Sequence, residues 1–205
     1  TYCDQIYNFY GSTKLFESLS SKGILDFSVP SGGDDGKAIH LVANQDIPDL
    51  SIYGIGVANN GGGTDGMDAG TLSGTVLAGD DILYAQSPEA MGSYFGNCFE
   101  EFELVLQASS GLSQNGDDAI ELFLNGIVIE TFGDINTDGT GEDWEYTDSW
   151  AYEQNGTWLT AALDCTDGSN SIFETNCLYP LCTENPDEYY GCMDESACNY
   201  NSFAN

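Results

Sequence analysis

The run AIELFLNGIVIETFG, residues 119–133, decides the fold class. Asn125-Gly126 separates two apolar runs rich in β-branched residues. A two-residue hairpin turn needs positive φ at both central positions, which Asn and Gly supply at least cost. Such a turn fixes the register: Leu124 opposes Ile127, Phe123 opposes Val128, Leu122 opposes Ile129 and Glu121 opposes Glu130. Side chains alternate across a strand, so Leu122, Leu124, Ile127 and Ile129 share one face, the expected core face. On the other face Glu121 and Glu130 form a like-charge pair that costs stability unless it is screened. Solvent is the expected screen, because the outer faces of antiparallel sheets are commonly polar.

Further short apolar runs lie on either side, punctuated by Gly, Asn and Asp: GILDFSV, KAIHLVA, LSIYGIGVA, GTVLA, DILYAQ, FELVLQA, SWAYEQ and TWLTAAL. Many short strands at regular spacing predict an antiparallel sandwich or barrel. One helix interrupts them at SPEAMGSYFG, where Ser87 caps, Pro88 takes the first helical position and Gly96 stops the element. The chain divides into an N-terminal extension (1–22), in which TKLFESLSS has weak helical character, a β-domain (23–182), a linker (183–190) and a cysteine-containing tail (191–205).

The charge balance narrows the function. Against 34 Asp and Glu stand 3 basic residues, Lys14, Lys22 and Lys37, giving a formal net charge of -31 with no arginine. Nothing there neutralises phosphates, and the field repels nucleic acid and anionic membrane. No apolar run reaches membrane-spanning length. Divalent cations are the natural partners, and DINTDGTGEDWE (134–145) meets the spacing of a calcium loop. Asp134, Asn136 and Asp138 supply short oxygen ligands, Thr140 a backbone carbonyl, and Glu145 a closing carboxylate. Gly141 stands where such loops carry an aliphatic residue, and a hairpin rather than a helix leads in. The competing reading is a set of Asx turns.

Seven cysteines (Cys3, Cys98, Cys165, Cys177, Cys182, Cys192 and Cys198) accompany a single histidine and show no zinc-ligand spacing, so they read as disulfides formed outside the cytosol. Their connectivity is open. Asn155-Gly156-Thr157 is a glycosylation acceptor if the source is eukaryotic. His40, in KAIHLVA, is expected to face solvent or bond a neighbour rather than catalyse. NNGGGTDG lacks the lysine and following helix of a phosphate cradle. Tyr146, Trp150 and Tyr152 offer a glycan-stacking platform, against the plainer reading of aromatics that cover a core.

Three stretches, GKAIHLVANQDIPDLSIYGIGVANNGGGTDG, TVLAGDDILYA and NGDDAIELFLNGIVIETFGDINTDGTGEDWEYTDSWAYE, together resemble the lamin-tail-like domains of secreted microbial proteins over about residues 23–165. The resemblance implies an immunoglobulin-like β-sandwich and a non-catalytic module of cell-surface proteins, also found appended to extracellular nucleases. This chain departs from nuclease-linked members in having no nuclease segment and no arginine, with Glu153 where relatives are often basic. GCMDESACNYNSFAN looks like the start of an extracellular GC-x5-C-N-Y repeat, whose third cysteine would lie beyond Asn205. The expected function is therefore a non-enzymatic structural or adhesive surface module, calcium-stabilised and contacting copies of itself or other surface proteins. The alternative is a polymer- or glycan-binding module of a secreted enzyme.

Overall fold

A computed structural model of the chain describes residues 18–182. The expectations for Cys3, Cys192, Cys198, the linker and the cysteine repeat, like residues 1–17 of the extension, lie outside the described residues. Among the described residues ten strands form two sheets. The larger takes β10 (Thr157–Thr160), β9 (Ser149–Gln154), β1 (Leu19–Asp26), β2 (Lys37–Ala43), β5 (Asp81–Ala85) and β6 (Leu104–Gln107) in that order. The smaller orders β4 (Gly70–Thr71), β3 (Tyr53–Ala58), β7 (Ala119–Leu124) and β8 (Ile127–Phe132). β1 opens at Leu19, inside the stretch assigned to the extension and at the end of the weakly helical run. GTVLA contributes only a bridge, Ile47 to Val76.

The two sheets pack face to face over one core. Ile24, Ile39, Leu41 and Ala151 of the larger sheet meet Ile55, Val57, Ile120 and Leu122 of the smaller. Each fully buried aliphatic side chain of this kind contributes about 1.5–3 kcal/mol relative to exposure. In YGIGVA the alternation is literal: Tyr53, Ile55 and Val57 face this core, while Gly54 and Gly56 lie under the loop that follows.

The larger sheet is also covered on its other face, which a two-layer reading does not anticipate. α1 (Pro88–Phe95) places Met91, Tyr94 and Phe95 against Leu25, Ala38 and Leu83, and Ile172 and Tyr179 complete the layer. The helix begins and ends as the sequence predicts: Ser87 Oγ accepts from Ala90 N at 3.3 Å, and Gly96 takes φ 56°. Its presence explains a departure from an all-antiparallel sheet. β5 and β6 pair in parallel, which requires a crossover of a dozen or more residues, and α1 lies within that crossover.

The 119–132 hairpin forms, with Asn125 at φ 51° and Gly126 at φ 77°. Leu124 opposes Ile127 and Phe123 opposes Val128 as expected, but Leu122 then opposes Glu130 and Glu121 opposes Thr131. A β-bulge at Ile129 causes the slip, since two residues of β8 are spanned by one step of β7. The like-charge pair is thereby avoided. Glu130 instead turns toward the larger sheet, where it accepts from Ser21 N at 2.9 Å. Ile127, placed on the core face by the pattern, is 63% exposed beside the turn. Glu121, expected in solvent, is 2% exposed.

Candidate functional site

The strongest convergence of carboxylates in the described residues is at one end of the larger sheet. Asp148 ends the connection into β9, at φ 45°. The segment 164–167 folds back on it: Asp164 N donates to Thr147 O at 3.0 Å, and Thr166 donates to Asp148 O through N at 3.2 Å and Oγ1 at 2.8 Å. One carboxylate oxygen each from Asp148, Asp164 and Asp167 then lies within 4.8 Å of the others. Burial, followed by the Asp167 charge, raises the Asp148 pKa. Cys165, within this segment, bonds Cys177 with a Cα–Cα distance of 6.0 Å.

A buried ion pair adjoins the cluster. Lys37 Nζ reaches Asp26 Oδ1 at 3.4 Å and Asp34 Oδ1 at 3.6 Å and also donates to the Gln114 carbonyl. Asp26 further accepts from the Asp148 backbone N–H. Burial pushes its carboxyl up to about 6, opposed by the Lys37 charge. Asp26, Lys37, Asn115, Thr147 and Asp148 line part of a cavity of about 290 Å³. Sequence reasoning did not single out Asp148, Asp164 or Asp167. The usable signal was DCTDG, two aspartates flanking a cysteine that a disulfide would immobilise.

The 134–145 loop uses its oxygens differently from the calcium template. Asp134 accepts from Asn136 N at 2.9 Å and from Thr137 Oγ1 at 3.1 Å, and Asp138 accepts from Thr140 N at 3.0 Å. Glu145 accepts from Gly141 N at 2.7 Å and Thr147 Oγ1 at 3.1 Å. These are Asx-type turns, and the local N–H donors hold both aspartates below their usual pKa. Asp134, Asp138 and Glu145 do not converge as the Asp148 group does. The loop wraps Trp144, which lies edge-on to Phe132 at 5.9 Å.

The aromatic platform is not assembled. Tyr146 is fully buried in the inter-sheet core, its hydroxyl donating to Asp118 O at 2.9 Å. Trp150 and Tyr152 pack on the opposite side of the larger sheet, edge-on to Tyr179 at 5.9 and 5.4 Å. Trp150 Nε1 donates to Cys177 O at 2.8 Å.

His40 bonds neighbours, the second of its two expected roles, and is fully buried rather than facing solvent. Its Nδ1 is 2.8 Å from the Tyr179 hydroxyl and its Nε2 is 2.6 Å from Asp81 Oδ1. Burial lowers its pKa, against the Asp81 hydrogen bond. β2 is covered on both faces, so a polar residue there must find partners inside. Asn155 is exposed at φ 53°, in the turn joining β9 to β10. Cys98 bonds Cys182 with a Cα–Cα distance of 5.3 Å.

No family model, curated protein or solved structure matches this chain.

Proposed function

We propose that the chain is a non-enzymatic extracellular structural module, an immunoglobulin-like sandwich of lamin-tail type that packs against copies of itself on a cell surface or in a matrix, with calcium as counterion. The observation that carries this reading is the disulfide Cys98–Cys182, which pins the C-terminal covering layer to the α1 side of the sheet across 84 residues. Such a bond persists in oxidising compartments.

The contact with a second copy is assigned to the side where both sheets end. Trp158 of β10 meets Phe132 of β8 at 4.7 Å, so these edge strands are neighbours. Ile127 (63%) and Val128 (38%), at the turn end of β8, and Leu159 (45%) of β10 are exposed on these edge strands. An open edge with apolar side chains is a template for pairing. At -31 per copy, repulsion opposes that pairing until salt or calcium screens it.

Light scattering of the full chain against sodium chloride and calcium chloride tests this. Association is expected to strengthen with either salt, more steeply with calcium, and to weaken in Ile127→Lys/Leu159→Lys. Association that strengthens as salt is removed in chelator refutes the screening. A monomer under every condition refutes the assembly.

A further inference from the structure

Glu121 lies in the interior of the smaller sheet, yet its carboxylate has no compensating charge. It is 2% exposed and Oε2 has no hydrogen-bond partner. The lysines of the described residues are engaged elsewhere, Lys22 with Glu153 and Lys37 with Asp26 and Asp34. An unpaired buried carboxylate costs several kcal/mol, so a charged or hydrogen-bonding partner there stabilises the fold.

The surroundings specify what kind. Glu121 opposes Gly56 on β3 and Thr131 on β8, so all three project to the outer face of the sheet. Over that face folds the glycine-rich segment 59–66, the NNGGGTDG of the sequence. The Gly66 carbonyl oxygen occupies the space a Cβ on Gly56 would take. Directly opposed residues have Cβ atoms about 4.5–5.5 Å apart. The Gly66 oxygen therefore stands about 5 Å from the base of the Glu121 side chain. The Glu121 carboxylate, carried two bonds beyond that base on the same face, can share one calcium ion with the Gly66 oxygen, each at about 2.3–2.6 Å from the ion. The segment is held in place by Asn60 N donating to Asp118 at 2.6 Å and Gly63 N donating to Ile135 O at 2.8 Å.

We infer that Glu121, with the Gly66 carbonyl and the Thr131 hydroxyl, binds one hard cation of the calcium type between the smaller sheet and the glycine-rich segment. The glycine at 56 then has a reason: a side chain there would displace the Gly66 carbonyl that completes the site. A single carboxylate among neutral oxygens gives weak binding, in the range of about 0.1–1 mM of extracellular modules. The inference does not rest on the assembly reading, because binding is read on the monomer.

The test compares the wild-type full chain with Glu121→Gln and with Asp134→Ala/Asp138→Ala, each unfolded thermally in EDTA and in 10 mM calcium chloride. A site of about 1 mM affinity shifts the wild-type folding equilibrium about 11-fold at that concentration. For a chain of this size that raises Tm by about 3–6 °C. The increment is expected to vanish in Glu121→Gln, which in EDTA should melt no lower than wild type, and to survive in the double variant. An equal increment in Glu121→Gln overturns the inference. Should that variant fail to fold, wild-type crystals soaked in terbium decide: an anomalous peak within about 3 Å of the Glu121 carboxylate supports the site, and peaks only elsewhere overturn it.

Discussion

Gly23→Ala is a one-carbon change whose cost should depend on a residue 156 positions away. Gly23 sits just after an irregularity in β1, opposite His40 on β2 and Tyr152 on β9. A Cβ there would overlap the Tyr179 hydroxyl and lie 3.0 Å from its ring carbon Cζ. The phenol ring thus fills the volume of the missing side chain, between His40 at 5.9 Å and Tyr152 at 5.4 Å. Adding the methyl must push the ring out, breaking its 2.8 Å bond to His40 Nδ1. Overpacking costs about 1–3 kcal/mol, and a buried polar group left unpaired costs about 1–3 more. Gly23→Ala should therefore lose about 2–6 kcal/mol. Tyr179→Phe alone loses the hydrogen bond and should cost about 1–3 kcal/mol. In the double variant the hydroxyl is already gone, so the alanine meets only the ring edge and breaks no further bond. The double variant should be more stable than the sum of the singles predicts by about 1–2 kcal/mol, within the range of contacting pairs. Urea denaturation of the four proteins, with equal m-values required, measures the coupling. Additivity within about 0.3–0.5 kcal/mol would refute the account of why residue 23 is glycine.

The disulfides should differ in worth, because cross-linking constrains the unfolded chain according to loop length. For separations of 84 and 12 residues the chain-entropy relation gives about 4.6 and about 2.8 kcal/mol. Cys98→Ala/Cys182→Ala should accordingly melt well below Cys165→Ala/Cys177→Ala, and the reverse order in calorimetry would count against the loop-length argument. Stability should also carry an acid-side signature of Asp26. Its folded pKa of about 6 exceeds the ordinary value of 3.8, so the folded state binds the extra proton between these values and stability falls as pH rises through that window. His40 acts oppositely: its folded pKa lies below 6.5, so the unfolded chain takes up its proton first and stability falls as pH drops below about 6.5. Urea midpoints from pH 4 to 7.5 should show the pH 4–6 slope change in Asp26→Asn, while the fall below pH 6.5 attributed to His40 remains in that variant. An unchanged profile would remove Asp26 from the account.

What the sequence determined by itself is local. Asn125-Gly126 sets a turn because two adjacent positive φ values exclude most other residues, and Ser87, Pro88 and Gly96 bound a helix because each answers a backbone need within one turn. The alternation in YGIGVA named its core face for the same reason: side-chain direction follows from one strand's geometry. Asn155-Gly156 carries the same turn signal, at φ 53° and 80°, within the acceptor tripeptide.

Everything that concerns charge and chemistry was decided in three dimensions. The bulge at Ile129 separates Glu121 from Glu130, since Glu130 finds Ser21 on the other sheet, 109 residues earlier. His40 is buried because Tyr179, from a segment with no strand pattern, supplies a partner on a face that periodicity leaves to solvent. Asp148, Asp164 and Asp167 converge through a loop folded back on the sheet, while the contiguous spacing of 134–145 closes into turns on its own N–H groups. An ionised side chain is governed by the partner that reaches it, and here those partners come from distant chain segments whose approach is set by packing both faces of one sheet.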